Sequence, residues 1–305
     1  MIDTDERQPR QPEEGAPGPR REGPPFCTAA EWEAHVHWRA IVNTKQTATD
    51  LVREAVGAPI DRLEDLVFRR EGITGADRLI AQSFRILNDL AKRVQSIELV
   101  ERRYRNHGIL VDNLADIREL PLDTVAQVLP AFGNTYELAA SVSGGLNGAL
   151  GTPGAVMGVP TLLFTSLHAI SSYAYHFGHD LTLREEQEFA VMLLTAGLVT
   201  RPSRRGAVIE RLEDLAYLLE VDETNDEAER HGLAILENVA EAVVLRLLLG
   251  LLVRSWPGIG LLLGAGFSRA FVGHICSLAQ AAYQQRRLLR TYGEAARVAT
   301  KNSVG

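Results

Sequence analysis

Residues 138–179 read LAASVSGGLNGALGTPGAVMGVPTLLFTSLHAISSYAYHFGH, an unbroken run between Glu137 and Asp180 without one Asp, Glu, Lys or Arg. Charged residues make up 23% of the chain, so chance would leave a window of that length this empty about once in 10⁵. Something keeps ions out of it. Within the run, Gly144 and Gly148, and again Gly154 and Gly158, stand four residues apart. That spacing puts two glycines on one helix face and lets a second backbone approach closely. A second block, Pro257-Gly258-Ile259-Gly260 followed by Gly264 and Gly266, repeats the pattern through Gly260 and Gly264. Each block introduces a long apolar helix, expected from Pro160 to about 178 and from about 264 to 293. The two hairpins are expected to pack together at the centre of the fold.

Two readings of these blocks stand side by side. In one they form a tightly packed soluble core whose glycines set close helix crossings. In the other a hairpin dips into one leaflet of a membrane or docks on a membrane protein. A spanning helix needs about 20 predominantly apolar residues. The stretch 159–179 has the length but carries Thr161, Thr165, Ser166, His168, Ser171, Ser172, His176 and His179. The run 243–253 is apolar but short, interrupted by Arg246 and ended by Arg254. Neither reads as a span.

Outward from these blocks the chain reads as helix throughout. Apolar residues recur every three to four positions from Thr28 onward, and period-two alternation is hard to find. The predicted helices cover about 28–56, a short piece at 60–68, 77–104 closed by His107-Gly108, and a segment 109–128 divided at Pro121. Further helices are expected at 132–150, 160–178, 183–199, 206–220, 226–254 and 264–293, with a turn at Arg201-Pro202-Ser203. The fold class is therefore all-α: a single compact multi-helix domain over 28–296, centred on the two glycine-rich hairpins. A proline-rich tail, 1–27, is expected to be disordered, because it lacks the apolar surface that would offset its ordering entropy. Residues 297–305 are expected to form a short flexible tail.

The 305 residues are 46% hydrophobic with a net charge of -7, which argues against a nucleic-acid coat. Two cysteines, Cys27 and Cys276, are too few for a disulfide framework or a thiolate zinc site. The tail has no apolar block of a secretory signal, so a cytoplasmic protein, peripherally associated with a membrane at most, is the expectation.

In order and spacing the chain resembles the EcsC family of bacterial proteins. The matching elements are Asn113 to Leu120, the glycine-rich turn Gly144 to Gly158, and Val159-Pro160-Thr161-Leu162. Phe177-Gly178-His179-Asp180, Glu185-Glu186-Gln187-Glu188-Phe189, and Trp256 to Gly260 with Gly264-Ala265-Gly266 follow. The likeness spans roughly residues 75–292. It departs at Gly158-Val159, where the family commonly has an acidic residue before the proline, and at Ser268-Arg269, where an asparagine is usual. The resemblance implies a fold and, through a gene beside an ABC-transporter operon, a link to membrane processes. It implies no reaction.

Constellations with chemical potential are few. His176, His179, Asp180 and Glu188 are the best candidate metal ligands, imidazole and carboxylate suiting zinc or iron in a metal-dependent hydrolase. Against this, Asp180 can cap the next helix, Thr182 with Glu185 reads as a capping box, and the resembling family usually has apolar or aromatic residues at the two histidines. Glu185, Glu186 and Glu188 could instead form an acid–base pair, although acids in a first helical turn favour the dipole. Neither glycine block follows a strand or carries the Lys-Ser/Thr of a phosphate loop, and no cofactor is expected. Cys276 lies on an apolar face and reads as packed. His35 and His37 point to opposite sides of their helix. Arg201, Arg204 and Arg205, and Arg286, Arg287 and Arg290, read as solvated surface or as contacts to anionic lipid. The expected function is non-catalytic contact with membrane lipid or a membrane-protein partner, with no nucleic acid; a homo-oligomeric scaffold is the further alternative.

Overall fold

The computed structural model describes residues 28–43, 95–129, 135–142, 151–198, 202–221 and 260–301. The expected tail 1–27, the helices expected at 60–68 and 226–254, and the remainder of those at 28–56 and 77–104 lie outside them. Among the described residues there is no strand. The helices are α1 (Ala29–Asn43), α2 (Gln95–Asn106), α3 (Leu114–Glu119), α4 (Leu122–Val128), α5 (135–142), α6 (Gly151–His176), α7 (Arg184–Leu198), α8 (Pro202–Glu220), α9 (Gly260–Tyr292) and α10 (Glu294–Lys301).

Local chemistry sets most of the helix ends. Thr28 and Glu31 form a capping box at α1: the Glu31 amide donates to Thr28 Oγ1 (3.3 Å) and the Thr28 amide to Glu31 Oε2 (2.6 Å). Asn113 and Asp116 do the same for the six-residue α3, which Ile117 pins into the core. Gly108 (φ 75°) and Gly178 (φ 80°) close α2 and α6 in the left-handed conformation. At Gly178 the following amide, His179, donates to Ala174 O (2.9 Å) and Gly178 itself to Tyr175 O (3.1 Å), a Schellman closure.

Several starts differ from expectation. Helix α6 begins at Gly151, so Pro160 is its tenth residue and not its initiator, and one rung of the ladder there has no N–H. Pro202 opens α8 instead of lying in a turn, an N-terminal position where the absent donor costs nothing. Helix α7 starts at Arg184, and Asp180 Oδ1 accepts from the Thr182 amide (2.9 Å). At the C-terminus the chain stays helical through Lys301, past residue 297 where a tail was expected. Arg297 ties α10 to Asp214 of α8 (2.5 Å) and lies over the Tyr217 ring.

Helix α9, 33 residues and about 50 Å long, is the axis of the assembly. It packs against α1, α6, α7, α8 and α10. A helix so surrounded must be apolar on most sides. Phe271, Val272, Ile275, Cys276, Leu278, Ala279, Ala281, Ala282, Tyr283, Leu288 and Leu289 are all buried. The two helices that follow the glycine blocks, α6 and α9, do pack on each other. Gly144 and Gly148 lie outside the described residues; Gly154 and Gly158 belong to α6, and Gly260 and Gly264 to α9. Among the described surroundings, close approaches occur at Gly197 and Gly178. A Cβ at Gly197 on α7 would come 2.2 Å from Ile275 Cδ1, and one at Gly178 would meet Leu114 O at 2.4 Å and the Arg118 amide nitrogen at 2.6 Å.

These contacts separate two superficially similar glycines. Gly178→Ala combines a left-handed backbone with a clash against main-chain atoms of α3, and is expected to cost about 3 kcal/mol or more. Gly108→Ala, with nothing within 4 Å of its Cβ, carries only the conformational term of about 1–2 kcal/mol. Urea denaturation of the two variants checks the order.

Candidate functional site

Two features of the structure concentrate its polar chemistry. The first is a buried ion network where α3, α7, α8 and α9 meet. Arg286, fully buried on α9, donates through Nη1 to Glu186 Oε2 (2.6 Å) and through Nη2 to Glu186 Oε1 (2.7 Å). Its Nε donates to Glu220 Oε1 (2.7 Å). Glu220 is the last residue of α8, and its other oxygen accepts from Arg118 Nη2 of α3 (2.7 Å). The Arg286 guanidinium also lies 4.5 Å over the Phe189 ring. Two arginines face two glutamates, so the network is neutral as a whole provided His179 carries no charge.

His179 satisfies that condition. Burial lowers its pKa, and Arg286 lowers it further against the opposing pull of Glu186. Its Nδ1–H donates to Glu186 Oε1 (3.2 Å), and its ring lies 5.1 Å from that of Tyr283. Burial alone would raise the Glu186 carboxyl, but Arg286 and then His179 overcome it and hold it well below the usual range. Glu220 is depressed on the same balance, by Arg286, His179 and Arg118.

The expected metal ligands are thus dispersed among other partners. His176 Nδ1 lies 2.7 Å from Ser172 O, an atom that only accepts, so Nδ1 carries the proton and Nε2 accepts from Arg103 Nη1 (3.2 Å). Burial lowers its pKa to about 4. His179 serves Glu186, Asp180 serves the Thr182 amide, and Glu188 pairs with Arg184 (3.1 Å). Among the described residues no three His, Cys, Asp or Glu side chains are grouped to hold a metal ion. Of the acids Glu185, Glu186 and Glu188 considered for an acid–base pair, Glu186 belongs to Arg286 and Glu188 to Arg184. Cys276 is packed, its thiol pushed up to about 12 by burial and by Glu137.

Arg205 and Arg286 need correction: read as surface, they are buried at 3% and 0% exposure. The signal for Arg286 was present. Cys276, Ala279, Tyr283 and Arg286 follow the three-four spacing of the core face, which places the arginine inside. Glu220 was also legible, because an acid at a helix C-terminus opposes the dipole and needs a cation.

The second feature is one end of the molecule. Phe177 stacks on Tyr283 (6.2 Å between centroids), and Tyr173 lies within electrostatic reach of Cys276. Rising numbers on α6 therefore match rising numbers on α9; the helices are parallel, and their N-terminal ends share one side. Along α6, 151–176 carries no charged residue, and the second uncharged stretch, 255–268, runs into α9. Glu137 is the last charge before the first stretch and Arg269 the first charge after the second. These two pair with each other, Arg269 Nε donating to Glu137 Oε2 at 3.2 Å. Gly273 makes room: a Cβ there would stand 2.7 Å from Glu137 Oε1.

Just inside this pair lies a small polar circuit. Ser172 Oγ donates to His168 O (3.0 Å), so Ser172 accepts from the Tyr136 hydroxyl (2.6 Å), which in turn accepts from His168 Nδ1–H (2.9 Å). Leu138, Val142 and Phe164, all three in the uncharged run, are 64%, 57% and 41% exposed. No described helix is long and apolar enough to cross a membrane.

An all-helical protein with a charge-balanced buried junction is the class that these features define among the described residues. Comparison with known families matches residues 45–288 to the EcsC protein family, and the chain belongs to it. No curated protein and no solved structure matches. Helix α1 lies N-terminal to the matched span.

The network makes stability depend on pH in a defined sense. Glu186 and Glu220 titrate below the ordinary carboxylate value of 4.5 when folded, so their stabilisation is complete above that pH and lost as pH falls below it. His176 titrates below its ordinary 6.5, so its contribution is present above 6.5 and lost towards 4. Arg286→Met leaves Glu186 without its cation and is expected to cost about 3–5 kcal/mol at pH 7. That deficit should shrink as pH falls from 7 towards 4, because burial raises the orphaned carboxyl above its ordinary value and it takes up a proton. Urea denaturation at pH 7 and pH 4 measures both effects.

Proposed function

We propose that the protein works by contact and not by catalysis, placing its uncharged end against a membrane surface or a membrane-bound protein partner. The observation that carries this reading is the Glu137–Arg269 pair, which joins α5 to α9 and brings the start of the first uncharged stretch beside the end of the second. Beyond it the sequence offers no charge for water to hold, and large apolar side chains are already outside. Leu138, Val142 and Phe164 are exposed large apolar side chains, and such side chains gathered beside polar groups mark an interaction site. Family membership supports the fold and leaves the role open. The titratable groups at the α6–α7 junction support the same reading, since His176, His179, Glu186 and Glu220 are each occupied by a partner within the protein.

Co-sedimentation with native membrane vesicles tests this. The wild type is expected in the pellet. Leu138→Glu, which adds a charge at an exposed position and disturbs no core contact, should reduce the bound fraction about tenfold. Equal recovery of both proteins, or a wild type that stays in the supernatant, would remove the proposal.

A further inference from the structure

We infer that the outer rim of the buried junction is a binding site for a phosphate group, formed by Arg118 of α3 with Arg287 and Arg290 of α9. The placement follows from contacts within the fold. Glu119 of α3 accepts from Arg290 Nη2, and Arg118 Nη2 donates to Glu220 (2.7 Å), which also accepts from Arg286 Nε (2.7 Å). Residues 118–119 are thereby set against residues 286–290 of α9. Arg287 precedes Arg290 by three positions, and side chains so spaced share a helix face. It therefore stands with them: Glu119, Arg290, Glu220 and Arg118 all act on it electrostatically.

Charge on this rim does not balance. Inside the junction Arg286 and Arg118 are matched by Glu186 and Glu220. Outside it the described contacts give Arg287 and Arg290 one acid, Glu119, so four arginines meet three glutamates. Those acids are already engaged: one Glu220 oxygen is taken by Arg286 and the other by Arg118, and Glu119 is committed to Arg290. The half-buried Arg287 side chain makes no hydrogen bond or ion pair among the described residues. Burial lowers its pKa, the mark of a cation partly stripped of water with too little counter-charge in return. Arg118 Nε is a second unused donor, buried and without a hydrogen-bond partner among the described residues. Buried donors of this kind cost free energy until an acceptor reaches them.

The class of ligand follows from the donors. A guanidinium presents its N–H groups in a planar fork that matches the oxygens of a phosphate or a carboxylate. Several forks together favour the group with more charge and more acceptors, and a phosphate monoester carries about -1.5 to -2 at pH 7 on three accepting oxygens. The rim is also held in place before any ligand arrives. Glu119 restrains Arg290, Glu220 restrains Arg118, and the α3 main chain is pressed against Gly178, where a Cβ would meet the Arg118 amide nitrogen at 2.6 Å. Groups fixed in this way lose little freedom on binding. A soluble phosphate ester and the headgroup of phosphatidic acid offer the same chemistry.

Calorimetric titration of the full-length protein with inorganic phosphate, at constant ionic strength, tests the inference. Wild type is expected to bind saturably, and its thermal midpoint should rise by about 3 °C at a phosphate concentration about ten times Kd. Arg287→Gln is expected to weaken binding about tenfold and to abolish that rise. Without phosphate the same variant should melt no lower than wild type, because the guanidinium holds nothing in the described fold and faces two other cations. Glu119→Gln removes the acid that competes for Arg290 and should tighten binding about threefold. A second arm identifies the source of the phosphate: flotation with vesicles of phosphatidylcholine alone or mixed with phosphatidic acid. Binding of inorganic phosphate that Arg287→Gln loses assigns the site to soluble phosphate esters. Extra flotation conferred by phosphatidic acid, and lost in Arg287→Gln, assigns it to a headgroup. No binding by wild type in either arm, equal binding by wild type and Arg287→Gln, or weaker binding by Glu119→Gln would each overturn the inference. A midpoint lowered by Arg287→Gln in phosphate-free buffer would overturn it too, by giving that arginine a partner within the chain.

Discussion

Everything in the described core is arranged around one buried guanidinium. Arg286 has no water around it, so its charge is tolerable only if carboxylates approach within hydrogen-bond distance and stay there. Glu186 supplies a two-oxygen face from α7, and Glu220 supplies a third acceptor from the end of α8. Arg118 then balances Glu220 from α3. Because each ion would be costly alone, four helices are held in one relative placement. The aromatic rings of Phe189 and Tyr283 and the neutral imidazole of His179 close the space around them. A hydrophobic substitute of similar volume could pack as well, but it would not specify which helix ends meet.

From that junction the two axial helices run in parallel towards the opposite end, and the character of the surface changes along them. At the junction, charges are buried and paired. Midway, at Tyr136, His168 and Ser172, polar groups form a closed hydrogen-bonded circuit. Beyond Glu137 and Arg269 the sequence has no ions. This gradient is a property of the helix pair and not of either helix alone. It depends on α6 and α9 packing together and sharing a direction.

Much of this was legible in the sequence. The three-four spacing, the stop at His107-Gly108 and the break at Pro121 are local signals, and the structure follows them. Proline misled where its position in a helix mattered, since Pro160 reads as an initiator and is embedded in α6. Close approaches are described at Gly178, Gly197 and Gly273, and only the partner element reveals them; the surroundings of the glycine blocks lie outside the described residues. The arginine cluster of the last helix is the instructive case. A charge run reads as surface because three arginines within five positions cannot all face inward. One of them does, and its acids lie 66 and 100 residues away in the chain. Long-range pairing of this kind leaves only indirect traces, here the phase of Arg286 and the misplaced acid at the end of α8. The histidine and acid cluster was proposed from proximity along the chain, whereas each member found a separate partner in space.

Helix α1 has a consequence for how the chain is assembled. Its indole Nε1–H donates from Trp38 to Glu213, its Ile41 carbonyl accepts from Arg205, and its Glu31 accepts from the Tyr292 hydroxyl, 261 residues downstream. During synthesis α1 leaves the ribosome well before α8 and α9, which complete the groove that receives it. Until those helices have been made, Trp38 has no native seat. The docking of α1 is thus a late event of folding, a clasp between segments far apart in the chain that snaps shut only after α9 has emerged.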